Sequence, residues 1–140
     1  MTATGNVLVV DDDPARANAL AEMVASGGFN TQVVTDVNNS TYSLGANSEL
    51  DVILCELDLK GVSWGEARRT LREMDVQVPA IMLSDVAEAD RMMTALRLGA
   101  SDFFLRPVED KEALFRSIER CVRQRQLRRE LQESRQRLEA

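Results

Sequence analysis

Histidine is absent from all 140 residues. That removes the commonest general base and the commonest metal ligand, and it excludes a Ser–His or Cys–His nucleophilic site. Cysteine occurs only twice, at Cys55 and Cys121. One stands in an expected buried strand and the other in an expected helix. Such a pair does not suit a structural disulfide, and both read as small buried hydrophobes in a reducing cytoplasm. No apolar run approaches the ~20 residues that would span a bilayer. Residues 1–5 have neither a basic n-region nor an apolar h-region, so no secretory signal is read. A glycine-rich phosphate loop is also missing, which leaves a nucleotide or flavin site without support. There is no internal repeat and no low-complexity segment.

What is present suits one domain with a real core. Hydrophobic residues make up 44% of the chain and charged residues 29%, as in an ordinary soluble fold. The charge is unevenly placed. Residues 1–109 carry 8 basic and 17 acidic side chains, and residues 110–140 carry 9 and 6. The basic tail interleaves both signs, which is the pattern of a solvated or coiled-coil helix rather than of a nucleic-acid-binding arm.

Two short apolar runs organise the chain. Val52-Ile53-Leu54-Cys55 leads into Glu56 and Asp58, and Val7-Leu8-Val9-Val10 leads into Asp11-Asp12-Asp13. Continuous apolar runs of this length are what strands buried on both faces of a parallel sheet look like. The carboxyl ends of such strands open into the crevice where α/β folds bind ligands. The two runs therefore predict one acidic pocket. Further strands are expected over 31–35, weaker and nearer an edge, then over 79–84 and 103–105. Helices are expected between them. Asp13-Pro14 supplies an N-cap acid and a first-turn proline, and Gly27-Gly28 stops that helix. Residues 38–48 suggest a short irregular helix, 60–65 a loop, and 66–74 a short amphipathic helix. Met92, Met93, Ala95, Leu96 and Leu98 are read as the core-packing face of a helix over 87–98. A last helix begins near Glu109-Asp110.

Five strand–helix alternations predict an α/β fold: a flavodoxin-like, doubly wound, five-stranded parallel sheet of order 2-1-3-4-5, with an extended C-terminal helix. In that order the two acid-tipped strands flank the switch point.

Asp11 and Asp12, Glu56 and Asp58, Ser84, and Arg106 now stand at four strand ends. Val9-Val10-Asp11-Asp12-Asp13-Pro14, Ser84 after one apolar strand, and Phe103 with Arg106-Pro107 after another together resemble a response regulator receiver domain of two-component signalling. The resemblance covers roughly residues 6–122. It implies acids that position Mg²⁺, here Asp12 with a strand-3 acid, Glu56 or Asp58, and a phosphorylated Asp at the end of the third strand. It also implies a switch hydroxyl (Ser84), a switch aromatic (Phe103) and a lysine, whose position Arg106 occupies.

The chain departs from that pattern. Glu56 stands at the phosphoacceptor position, one methylene too long, and in-line transfer depends on positioning. Arg106 brings a planar fork in place of a mobile point charge. Lys60, Ser63-Trp64 and Asp85 replace the usual neighbours. The expectation is therefore an atypical, non-enzymatic receiver, independent of phosphorylation, with Mg²⁺ binding weak or lost. It would act through contacts with a sensor kinase or a downstream output domain, and not through nucleic acid or membrane. A live phosphorelay receiver that binds Mg²⁺ and a Mg²⁺-dependent enzyme using the acidic cluster are the alternatives. Residues 1–122 would form the receiver. Residues 123–140 would form a helical extension in which Leu127, Leu131, Ser134 and Leu138 are spaced 4, 3, 4, an a/d seam suited to a weak homodimer through 124–140.

Overall fold

Successive side chains of a buried strand point to opposite faces, so each strand here serves two cores. Val7, Val9, Val52, Leu54, Ile81 and Leu83 lie on one face of the sheet. Leu8, Val10, Ile53, Cys55, Ala80 and Met82 lie on the other. The computed structural model describes residues 5–35, 49–57, 78–85, 89–97 and 99–139. Over these, the strands are β1 (Asn6–Val10), β2 (Asn30–Val34), β3 (Val52–Glu56), β4 (Ala80–Ser84) and β5 (Asp102–Leu105). The helices described are α1 (Pro14–Ser26), α2 (Ala89–Arg97) and α3 (Lys111–Glu139).

The sheet is parallel throughout, in the order β2-β1-β3-β4-β5. Register sets Val10 opposite Cys55 and Glu56 opposite Leu83, so the strand tips end level with one another. Every residue of β3 and β4 is buried. β2 takes an edge, as its weaker apolar content predicts, and is only partly covered. The expected loop and helices over 38–48, 60–65 and 66–74 fall outside the described residues.

Local sequence accounts for α1. The Asp13 carboxylate accepts hydrogen bonds from the Ala15 and Arg16 amides at 3.1 and 3.2 Å, and Pro14 takes the first helical position. Ala17, Leu20, Ala21 and Val24 face the sheet. The Gly27 and Gly28 amides donate back to Val24 and Ala25, and Gly28 has φ 94°. Glycine adopts that left-handed conformation without a Cβ clash.

One expectation about α2 fails. Of its apolar side chains, Ala95 is buried, whereas Met92, Met93 and Leu96 are 50%, 48% and 58% exposed. The spacing is helical, but the helix meets the sheet through Ala95 and turns the long side chains outward. Periodicity reports that a face is apolar and not that anything covers it.

Helix α3 is one uninterrupted helix of 29 residues. Asp110 caps it by accepting from the Ala113 amide at 3.0 Å. Leu114, Ile118, Cys121 and Val122 pack on the same sheet face as α1. Beyond Val122 the helix still touches the body. Arg125 is buried, and Arg129 donates to the Asp51 carboxylate at 2.8 Å and to the Leu50 carbonyl at 2.7 Å. Asp51 in turn accepts from the Asn6 amide at 2.8 Å, so one carboxylate ties α3 to the amino end of β1. Leu127, Leu131 and Leu138 are exposed. At 100° per residue they lie roughly opposite Arg125 and Arg129. Both cysteines are buried and free, as expected. No described helix is long and apolar enough to cross a membrane.

Candidate functional site

Asp11 and Asp12 follow β1, Glu56 ends β3, Ser84 ends β4 with Asp85 after it, and Arg106 follows β5. Parallel register therefore delivers these residues to one rim of the sheet. Asp11, Glu56 and Ser84 are buried, with 2%, 4% and 0% of their surface exposed. A carboxylate so deeply buried must be paired or hydrogen-bonded to stay ionised.

Two guanidinium groups meet that demand. Arg106 forms an ion pair through Nη2 with Glu56 Oε2. Its Nη1 donates to Asp85 Oδ1 at 2.9 Å, and its Nη2 lies 3.7 Å from Asp11 Oδ2. Arg106 thus joins the tips of β3 and β4 from the end of β5. Arg16 grips Asp11 with two parallel bonds of 2.6 Å, Nε to Oδ2 and Nη2 to Oδ1. The same guanidinium lies 3.6 Å from Asp12, 3.9 Å from Glu56 and 3.9 Å from Asp85. Asp11 Oδ1 also accepts from the Asp13 amide at 3.0 Å.

The electrostatics follow from this packing. Burial pushes the Asp11 carboxyl up. The Arg16 hydrogen bonds, the Asp13 amide and the charges of Arg16 and Arg106 outweigh it, and the group ends below its ordinary value. Burial and the nearby Arg16 charge lower the Arg106 guanidinium, against the pull of Asp11 and Asp13. Arginine remains protonated under any such shift. The hydrogen bond to Asp11 raises Arg16 further still. Cys55, one residue before Glu56, has its thiol pushed up by burial and offers no nucleophile.

Of the residues singled out from the sequence, Asp11, Asp12, Glu56 and Arg106 come together, and Ser84 sits buried at the tip of β4 beside them. Phe103 is partly buried and packs against the core on the Leu8–Val10 face. Asp58 lies outside the described residues, as do Lys60 and Ser63-Trp64. Sequence reasoning missed Arg16. A signal was available: Arg16 is the third residue of α1, a basic side chain at the positive end of the helix dipole. A cation there is unfavourable unless an acid holds it, and Asp11 and Asp12 stand five and four residues before it.

The described donors fit a divalent cation poorly. Mg²⁺ takes near-octahedral oxygen ligands with open carboxylate lone pairs. Here Glu56 Oε2 is engaged by Arg106, both Asp11 oxygens by Arg16, and Asp12 faces the same guanidinium.

Comparison with known proteins gives consistent results. The family profile for the response regulator receiver domain matches residues 7–119. The cell cycle response regulators CtrA of Brucella ovis and Brucella abortus are 34% identical over 110 residues, covering 79% of this chain and 47% of each relative. The chain thus spans about half the length of the curated relatives it matches. Full-length FixJ from B. japonicum superposes with a TM-score of 0.78 at 23% identity, over 89% of this chain and 60% of that one. The receiver domain of a Pseudomonas aeruginosa PAO1 sensor histidine kinase, solved with magnesium in its active site cleft, gives 0.73 at 24% identity, over 84% and 97%. At these identities the solved structures speak to the fold alone.

Proposed function

This chain belongs to the response regulator receiver family, and we propose that within two-component signalling it works without phosphorylation, through protein contacts. The observation that carries this reading is the Glu56–Arg106 ion pair. Glu56 stands at the acceptor position, and its carboxylate reaches into the space a phosphoryl group would need. Arg106 stands at the family's lysine position and already holds that carboxylate. An acceptor must be open to in-line attack on an incoming phosphoryl group. A buried, paired glutamate is not. Glu56 acts instead as a permanent anion at the tip of β3, joined through Arg106 to Asp85 on the β4 side.

Receiver domains take signals from sensor kinases and pass them to output domains. In this chain the outgoing element would be α3. Its Arg125–Arg129 side is held on the body, while Leu127, Leu131 and Leu138 are offered on the other side. That stripe suits a weak parallel homodimer or the start of a linker to an output domain, with the signs of charge too mixed for a nucleic-acid arm. Two free buried thiols agree with a reducing cytoplasm. We assign no enzymatic role.

The test is phosphoryl uptake from acetyl phosphate with Mg²⁺, read by intact mass. The wild-type chain gains nothing, and Glu56→Asp combined with Arg16→Gln, which shortens the acceptor by one methylene and frees Asp11 and Asp12 for Mg²⁺, gains one phosphoryl mass in part of the population. Phosphorylation of the unaltered chain, mapped to Glu56 or Asp58, would overturn the reading and leave a working phosphorelay receiver.

A further inference from the structure

Arg16 occupies an unusual place. Its guanidinium lies within 4.0 Å of four carboxylates, Asp11, Asp12, Glu56 and Asp85, which come from the tips of β1, β3 and β4. Arg106 reaches three of these, Asp11, Glu56 and Asp85, from the end of β5. Four acids on one rim repel one another and draw in a cation. Among the described residues, the cation within reach of all four is a side chain from the first turn of α1. It is also held rigidly, by a bidentate grip on a carboxylate that is 2% exposed. Bidentate arginine–carboxylate geometry fixes direction as well as charge. A helix N-terminus is a poor location for a cation, so the acids rather than the helix keep Arg16 there.

We infer that Arg16 is the pocket's built-in counterion, a covalently tethered replacement for the divalent cation that the acid cluster would otherwise recruit. The strand tips of β1, β3 and β4 are then drawn together at every metal concentration. A receiver arranged this way does not respond to Mg²⁺, and the pocket keeps one shape. Arg16 is a positioning residue in this account, acting through the acids it gathers. The inference builds on the reading of Glu56 as a permanent occupant. Its test measures cation binding rather than phosphoryl uptake, so the two can fail separately.

The experiment compares the full chain with Arg16→Gln, Arg16→Lys and a distant charge control, Arg97→Gln in the last turn of α2. Mn²⁺ binding is read from the electron paramagnetic resonance signal of the free ion. Removing a like charge within about 4 Å of the incoming ion should tighten binding at least about tenfold, even at high effective dielectric. Arg16→Gln shows that gain, and a second change, Asp12→Asn, abolishes it. Arg16→Lys and Arg97→Gln bind as weakly as the wild type. Wild-type binding as tight as that of Arg16→Gln, or an equal gain in Arg97→Gln, overturns the inference. If Arg16→Gln does not fold in metal-free buffer, refolding at about 10 mM Mg²⁺ supports it by mass action. Failure to refold with Mg²⁺ overturns it.

Discussion

Glu56 and Arg106 pair across an intervening strand: Glu56 ends β3, Arg106 follows β5, and β4 lies between them in the sheet. The Arg106 side chain is long enough to pass over the tip of β4, and it meets Asp85 on the way. The pair is nearly closed to water, with the two side chains 4% and 12% exposed. Two buried charges repay their desolvation only while both are present.

Removing either partner should therefore be costly. Arg106→Met takes from the buried Glu56 carboxylate its partner from the end of β5 and leaves Arg16 at 3.9 Å, and a loss of about 3 kcal/mol is expected. The double change Glu56→Gln with Arg106→Met should recover part of that loss, because no charge is then stranded. Urea unfolding of the two single variants and the double variant measures the coupling. Additive effects would show that the two residues do not interact.

Acid should weaken the fold through Asp11. Its carboxyl titrates below the ordinary value of 3.8 in the folded protein. A depressed carboxylate contributes stability that is complete above its unfolded value and is lost as pH falls through the folded one. The urea midpoint should thus hold steady from about pH 7 to 5 and fall below about pH 4. Asp11→Asn should start from a lower midpoint and fall less steeply. An unchanged slope in that variant would assign the acid sensitivity to other carboxylates.

The far end of α3 should depend on Asp51. Asp51 bonds Arg129 and the Asn6 amide at once, and only 3% of its surface is exposed. Asp51→Ala removes both links and leaves Arg129 its bond to the Leu50 carbonyl, without a carboxylate to offset the buried Arg125 nearby. A cost of about 3 kcal/mol is expected, since one partner of a largely buried pair is removed. Hydrogen exchange should quicken from Arg125 onward while Leu114 to Cys121 stays protected. Uniform quickening along the whole helix would mean that the body, not the latch, has loosened.

The leucine stripe should support weak self-association. Leu127, Leu131 and Leu138 are 60%, 56% and 84% exposed. About two heptads make a marginal coiled coil. Sedimentation should show a concentration-dependent dimer that Leu127→Lys with Leu131→Lys abolishes. Substitution is a cleaner test than truncation after residue 124, because truncation would also remove the docked Arg125 and Arg129. Equal monomers at high concentration would leave the stripe without a role in this chain.

Much of the fold was legible because its signals are local. Val52–Cys55 and Val7–Val10 announce strands covered on both faces, and the sheet buries them so. Asp13-Pro14 and Gly27-Gly28 bracket α1 through bonds that span at most four residues. The acid-tipped strands end on one rim, because a parallel sheet leaves all its carboxyl ends on the same side. Backbone periodicity and capping depend on near neighbours in the chain, so sequence by itself determines them.

Tertiary structure decided what the charged and exposed side chains do. Nothing local distinguishes Met92, Met93 and Leu96 from a buried stripe, because coverage depends on how closely α2 approaches the sheet. Asp51 and Arg129 are 78 residues apart and meet only because α3 runs back past the start of β3. Arg16 gathers acids that end three different strands. Hydrophobic pattern sets which surfaces turn inward. Ion pairing is decided by a few ångströms in space, and those distances exist only once the strands have been brought side by side.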